Sequence, residues 1–350
     1  MIKKELSLKG SDKLNLLSNF STMISSGIPI LETVDSLLED SKGNTRKVLL
    51  VIREDILQGN HLYSSFSKFP NVFDKVTVNV VRASEEAGTL DVTLLDIKDQ
   101  IEKQMEFNDK IRSAMVYPVI ILFVFFGVLL MMLVVVIPKI SAVFSNLNVV
   151  LPLPTKILIF FSDLLLTYSL PIVAGFIVLL MFLFFLFKAQ KKRILSGFYR
   201  LPMISNLVKE IDLASFSRSM YLLLNSGITI TNALELSEEV VRRPDIAKAV
   251  RHAQETVLTG KNLSQAFKDD KKIFPGLVVK IIEAGEKTGT LDKSLQDVAK
   301  QMDYRVSNSL KNITTMIEPI MLVAVGVMVG GIMLAIIAPI YGLIGQVNAR

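Results

Sequence analysis

Carboxylates stand at two matching places in the sequence and are the side chains best suited to binding. They are Glu85, Glu86 and Asp91 in RASEEAGTLD, and Glu283, Glu286 and Asp292 in IEAGEKTGTLD. Exposed carboxylates at such corners could contact a basic partner or a divalent cation. The alternative is that they cap helices and otherwise carry solvated charge. The four Glu residues are therefore candidate partner contacts, with both interpretations left open.

A further carboxylate, Glu318, stands directly before Pro319 at the start of a long apolar run. An ionisable group at the edge of a membrane is costly and is usually paired, although a Glu that reaches the interface explains it equally well. Further along the same run, Gly326 and Gly330 form a GxxxG pattern and are followed by Gly331. This pattern allows close helix packing, either within the chain or between subunits.

The residues of common catalytic sites do not form a recognisable arrangement. The chain has no Cys, so thiol nucleophiles and thiolate metal sites are excluded. TGKN at 259–262 lacks the upstream Gly and the closing hydroxyl of a phosphate-binding loop. His61 and His252 have no partners at metal or triad spacing. We therefore expect no enzyme activity, no cofactor and no metal.

The composition indicates a membrane protein, with 51% hydrophobic and only 21% charged residues. Uncharged apolar runs are long enough to cross a bilayer, and Lys and Arg cluster beside them. These clusters account for the net charge of +6, so the charge does not indicate binding of nucleic acid. The positive-inside rule then predicts a cytoplasmic N-terminus and a periplasmic C-terminus. The predicted cytoplasmic domains are 1–114 and 188–315. The predicted spans are 115–138, 164–187 and 316–341. The predicted periplasmic segments are the loop 139–163 and the tail 342–350.

An internal repeat explains this layout. SSGI at 25–28 recurs as NSGI at 225–228, and GTLD at 88–91 recurs at 289–292. Such ordered similarity indicates duplication of one domain plus one span. The unpaired span at 164–187 returns the chain, so that both repeats lie in the cytoplasm. The fold is predicted to be all-α, with two homologous helical-bundle domains and three transmembrane helices. The glycines expected to form its structural turns are Gly27, Gly227, Gly88 and Gly289.

These features together resemble the type II secretion F domain family. The resemblance rests on the duplicated SGI and ExxGTL corners, on YP and EP at the starts of two spans, and on a Pro at the end of each repeated span. This GspF/PilC-like family comprises inner-membrane platform proteins of type II secretion systems and type IV pili. Ser84 stands where the second repeat has Gly285, which predicts a less tightly turned first corner. The short N-terminal region resembles type IVb pilus members.

The resemblance implies a protein of the bacterial inner membrane that assembles filaments. Its expected partners are a hexameric assembly ATPase, pilin or pseudopilin subunits, other inner-membrane assembly proteins and further copies of itself. The resemblance implies that ATPase motion is coupled to insertion of pilin into the filament. A permease subunit driven by a separate ATPase is the alternative. Few polar residues lie in the apolar runs to form a substrate pathway, which disfavours it.

Overall fold

The computed structural model describes residues 6–146, 153–168 and 202–347, and the regular structure of these residues is helical, as predicted. The helices of the first repeat are α1 (Gly10–Ser25), α2 (Ile30–Asp40), α3 (Gly43–Leu57), α4 (Leu62–Ser67), α5 (Lys75–Ala87) and α6 (Leu90–Met131). A π-helical turn (Met132–Val136), α7 (Ile137–Asn146) and α8 (Leu153–Thr167) follow. The second repeat contains α9 (Pro202–Asn225), α10 (Ile230–Glu238), α11 (Pro244–Leu258), α12 (Leu263–Asp269), α13 (Gly276–Thr288) and α14 (Leu291–Val347).

The first corner of each repeat has the same backbone structure. Gly27 has φ of 82° and Gly227 has φ of 79°, each just beyond the end of its helix. Side chains disfavour this left-handed conformation, which Gly adopts at little cost. The next amide returns to the helix, from Ile28 N to Met23 O at 3.1 Å and from Ile228 N to Leu223 O at 3.0 Å. Both corners therefore stop one helix and start another.

The hydrophobic core is duplicated together with the sequence. In the first repeat the rings of Phe66 and Phe73 stack with centroids 3.8 Å apart. Their counterparts in the second repeat, Phe267 and Phe274, stack at the same distance. All four side chains are buried, so each repeat builds its own core around a stacked aromatic pair.

The helical parts of both repeats fold as one compact unit. It comprises Met1–Lys110 and Pro202–Asn308. The sequence predicted two separate helical domains, whereas the structure joins them in one unit. A repeat reveals the boundaries of each copy but not the surfaces on which the copies pack. Within this unit, α5 of the first repeat packs against α9 and α10 of the second.

The second unit comprises Ile111–Leu201 and Ser309–Arg350. Among the described residues, two helical stretches are long and apolar enough to cross a membrane, Leu90–Val143 and Leu291–Leu334. The first stretch includes the predicted span 115–138, and the second covers residues 316–334 of the predicted span 316–341. Most of the remaining predicted span, 164–187, lies outside the described residues.

The helix of the first span extends beyond its predicted end at residue 138. The segment 139–163, predicted to be a loop, is helical over 139–146 and 153–163. Pro138 does not stop the helix because the wider π turn before it accommodates the missing N–H and the ring. Ser162 on α8 donates its hydroxyl to Leu133 O at 2.6 Å, which satisfies a carbonyl within that turn.

Candidate interaction surfaces

The acidic corner of each repeat is a helix end closed by glycine. Gly88 follows α5 with φ of 70°, and Gly289 follows α13 with φ of 72°. In each corner the next amide bonds back to the residue five positions earlier at 2.9 Å, from Thr89 to Ser84 and from Thr290 to Gly285. The expectation that Ser84 loosens the first corner is wrong, because the two turns have the same backbone geometry.

Two of the predicted partner contacts, Glu85 and Glu286, are bonded to the backbone of a neighbouring helix. Glu85 accepts hydrogen bonds from Leu62 N at 2.9 Å and Tyr63 N at 3.2 Å, at the start of α4. Glu286 accepts the equivalent bonds from Leu263 N at 2.5 Å and Ser264 N at 3.1 Å, at the start of α12. Both oxygens of each carboxylate are therefore used to cap a helix 22 or 23 residues upstream.

The other two corner carboxylates, Glu86 and Glu283, differ in environment. Glu86 is exposed. Glu283 lies 2.9 Å from both the Lys268 and the Lys287 ammonium groups. Hydrogen bonds from Lys268 and Lys287, with their positive charge, lower the pKa of Glu283 to about 2. Glu283 is therefore ionised at neutral pH, and its charge is balanced by the two lysines.

The histidines and the remaining acidic side chains do not form a metal site in the described part of the chain. There, no three His, Asp or Glu side chains come together in a way that could hold a metal ion. The Nδ1 atom of His61 lies 3.2 Å from Glu85, and that of His252 lies 3.2 Å from Asp270. Each is a pairwise contact, so the proposal of a cation at the corners has no support from this geometry.

A cleft of about 430 Å³ lies where α5 of the first repeat meets the second repeat. Asn79, Ala83 and Glu86 line it from α5, and the corner between α9 and α10 lines it from the other side. Lys75 of α5 also contacts the second repeat, since its ammonium lies 2.5 Å from Glu239. Glu86 is thus placed at a junction between repeats and not on an isolated corner.

A buried arginine that the sequence did not single out joins the repeats elsewhere in the same unit. The Arg218 side chain, 5% exposed, donates to both carboxylate oxygens of Asp303 at 2.7 and 2.8 Å. It also donates to Gln104 of α6, and its guanidinium lies 5.2 Å from the Phe107 ring centre. Burial raises the pKa of Asp303, and the charge of Arg218 opposes this rise. The sequence held a signal for Arg218, because the equivalent residue of the first repeat is Ser18 and the charge occurs in only one copy.

In the second unit, Glu318 lines an apolar groove of about 380 Å³ between α6 and α14. The other lining residues are apolar, and include Ile121 and Phe125 of α6 and Met321 of α14. The groove therefore offers a hydrophobic wall with one carboxylate to an apolar helix.

The predicted helix-packing glycines lie on the same helix, α14. A methyl group built at Gly326, Gly330 or Gly331 would have no described atom within 4 Å. Gly331 also lines a cavity of about 420 Å³ together with Leu129 of α6 and Phe161 of α8. The role of these glycines in helix packing stays a prediction.

Comparisons with known proteins agree with this duplicated architecture. The family model for the type II secretion system (T2SS), protein F, matches twice, at residues 16–138 and 216–339. A type IV pilus assembly protein PilC of Thermus thermophilus is 32% identical, over 94% of this chain and 82% of the relative. A PilC of Myxococcus xanthus is 28% identical over 97% of this chain and 82% of its own length. A type II secretion system protein F of Aeromonas hydrophila is 28% identical over 94% of this chain and 85% of its own length. Because the model matches both repeats and most of the chain, this protein belongs to the type II secretion system protein F family.

Proposed function

We propose that this chain is the inner-membrane platform of a type IV pilus or type II secretion machine, where it couples a cytoplasmic hexameric ATPase to insertion of pilin subunits. The observation that carries this proposal is the match of both repeats to the family, in a chain whose repeats share one helical unit. In each repeat one helix, α6 or α14, is continuous from that unit into an apolar segment. A continuous helix is suited to transmit a displacement produced by another protein.

The proposed topology has three spans, with residues 1–114 and 188–315 in the cytoplasm. Two apolar helices, the match to the family and the basic residues beside the apolar runs support it. The natural absence of Cys permits a direct test with single cysteines at Ser36, Ser145 and Ser309. In intact cells, a membrane-impermeant thiol reagent should label only Ser145→Cys. Labelling of Ser36→Cys would contradict the proposed orientation.

The corner carboxylates Glu85, Glu86, Glu283 and Glu286 are the proposed contacts for the ATPase. Glu86 is the better probe, because Glu85 and Glu286 also hold helix ends and Glu283 is balanced by two lysines. We expect Glu86→Lys to reduce co-purification of the ATPase several-fold while the protein still inserts into the membrane. The matched control is Glu54→Lys, an exposed Glu outside the corners. Equal ATPase recovery with both variants would refute the contact, but not the platform function.

The apolar groove beside Glu318 is the proposed contact for a pilin. Its hydrophobic lining suits an apolar helix, and its carboxylate suits a cationic or hydrogen-bonding group on that helix. The function itself is tested in cells that lack this chain, which should make pilin and ATPase but no filaments. Filament assembly at the wild-type level in those cells would overturn the proposal, as would solute transport by the purified chain in liposomes.

A further inference from the structure

The contact between the repeats joins two different surfaces of the repeated unit. One surface is a stripe along α5, formed by Val76, Asn79, Ala83 and Glu86, which recur at helical spacing. The other is the corner between α9 and α10, and Asn79, Ala83 and Glu86 share a cleft with it. Because the two surfaces differ, the contact is heterologous, like the head-to-tail contacts of rings and filaments.

The duplication leaves one equivalent of the α5 stripe without a described partner. The α13 stripe, at an offset of 201, consists of Leu277, Lys280, Ala284 and Lys287, all exposed. Val76 on the α5 stripe is 5% exposed, whereas its counterpart Leu277 is 46% exposed. The counterparts Val81 and Ile282 are both completely buried, so both helices turn this position toward their own cores. Leu277 is therefore an exposed apolar side chain at the position where the first repeat has a buried one.

The first repeat carries the complementary surface. Its α1–α2 corner, at an offset of 200 from the α9–α10 corner, includes Gly27, Pro29, Glu32, Ser36 and Glu39, which are all exposed. The α13 stripe presents Lys280, while its Lys287 pairs with Glu283 of the same helix, and the corner presents Glu32 and Glu39. Opposite charges favour their association over contact between two like surfaces.

We propose that a second copy of this chain docks its α1–α2 corner on the α13 stripe, and so repeats between chains the contact that joins the repeats within one chain. Each chain then offers one stripe and one corner, so that addition continues until a ring closes. In the proposed topology both repeats lie on the same side of the membrane. The rotation that relates one repeat to the next therefore keeps every added chain in the same orientation relative to the membrane. The proposal does not depend on the ATPase or on pilin, because it concerns the purified chain alone.

Cysteine crosslinking tests the geometry directly, since the natural chain has no Cys. Asn79 and Leu236 line the same cleft within one chain, and their equivalents are Lys280 and Ser36. Under oxidation, Lys280→Cys with Ser36→Cys should give a ladder of crosslinked chains. Asn79→Cys with Leu236→Cys should crosslink within one chain and give no ladder. Leu258→Cys with Ser36→Cys is the control, because Leu258 is 67% exposed but lies outside the α13 stripe.

Light scattering of the full chain in detergent tests the energetics. We expect wild-type chains to associate and Leu277→Asp to weaken association at least ten-fold, while Leu258→Asp leaves it unchanged. Lys280→Glu and Glu32→Lys should each weaken association, and their combination should restore it. Equal helical circular dichroism and melting temperature would show that the variants fold. A monomeric wild type or an unchanged mass for Leu277→Asp would overturn the proposal.

Discussion

Glu85 and Glu286 show how a single carboxylate can position a distant turn of the chain. Each accepts two backbone amides at the start of a short helix that begins 22 or 23 residues earlier. The helices concerned, α4 and α12, have only six and seven residues, and their own N-cap residues, His61 and Asn262, make no side-chain cap bond. Helices this short are not stable alone in water, so the carboxylate supplies part of their stability.

Removal of the Glu85 carboxylate should loosen the start of α4. We expect Glu85→Ala to reduce the local stability by about 1 to 2 kcal/mol, because the amides of Leu62 and Tyr63 lose a charged acceptor. Hydrogen exchange at these two amides, in the purified full chain, measures the effect. Glu86→Ala is the matched control, because Glu86 is exposed and bonds to neither amide. Equal exchange in the two variants would show that the cap contributes nothing.

The sequence identified these carboxylates but not their bonding partners. Capping was one of its two interpretations, because Glu lay beside a helix end and a Gly turn. That Glu85 caps α4 and not its own neighbouring helix follows from tertiary packing, which local spacing does not reveal. The same limit applies to Arg218, whose partners Gln104 and Asp303 are 114 and 85 residues away in the sequence.

At the scale of helices, glycines and first-turn acids were reliable markers, and Pro138 was not. The corners at Gly88 and Gly289 are left-handed, and Asp91 and Asp292 lie in the first turns of α6 and α14, as the sequence indicated. Pro138 was interpreted as the end of a span, yet the helix continues to residue 146. The π turn before it absorbs the local misfit, and no residue type in the sequence marks a π turn.

Gly285 has a packing role that its counterpart Ser84 does not share. A Cβ atom at Gly285 would lie 2.6 Å from the Ser294 Cβ and 3.1 Å from the Thr290 carbonyl oxygen. In the first repeat Ser84 is buried and donates its hydroxyl to Val81 O at 2.9 Å. The two corners therefore have the same turn, but only the second one has no room for a side chain at this position.

We expect Gly285→Ala to destabilise the protein by about 1 to 3 kcal/mol, because α13 and the start of α14 must move apart. Thermal unfolding followed by circular dichroism in detergent measures the loss. The control is Gly276→Ala, at the start of α13, where an added Cβ has no atom within 4 Å. That variant should be neutral or slightly stabilised. If both melted at the same temperature, close approach at Gly285 would not be required.

At the scale of the whole molecule, the repeats act as one unit because a few polar contacts join them. Asn225 of the second repeat donates to Asp96 of the first at 2.8 Å, and Lys75 pairs with Glu239. Arg218 differs from these pairs, since its side chain is buried and contacts both α6 and α14. A buried guanidinium without its acceptors would carry a large desolvation cost, so its position requires that both repeats stay together.

Arg218→Met should therefore loosen the contact between repeats while each core stays packed. We expect a loss of about 1 to 3 kcal/mol, because Asp303 keeps its burial and loses its cation. The pKa of Asp303, already raised by burial, would rise further without Arg218. A carboxyl whose pKa is raised by folding stabilises the folded state when it is protonated. The loss of unfolding free energy in Arg218→Met should therefore shrink as the pH falls from 7 toward about 4.

Arg251→Met is the matched control, because Arg251 pairs with Glu238 on the surface and is 63% exposed. A surface pair contributes less than about 1 kcal/mol, so this variant should melt close to wild type at every pH. Hydrogen exchange should rise in α9 and around Gln104 in α6 for Arg218→Met, but not around Phe66 and Phe73. Equal melting temperatures for the two variants, or a deficit that grows on acidification, would contradict the role of Arg218 in joining the repeats. Faster exchange confined to the contact between repeats would show that the first repeat keeps its own packed core when that contact is loosened.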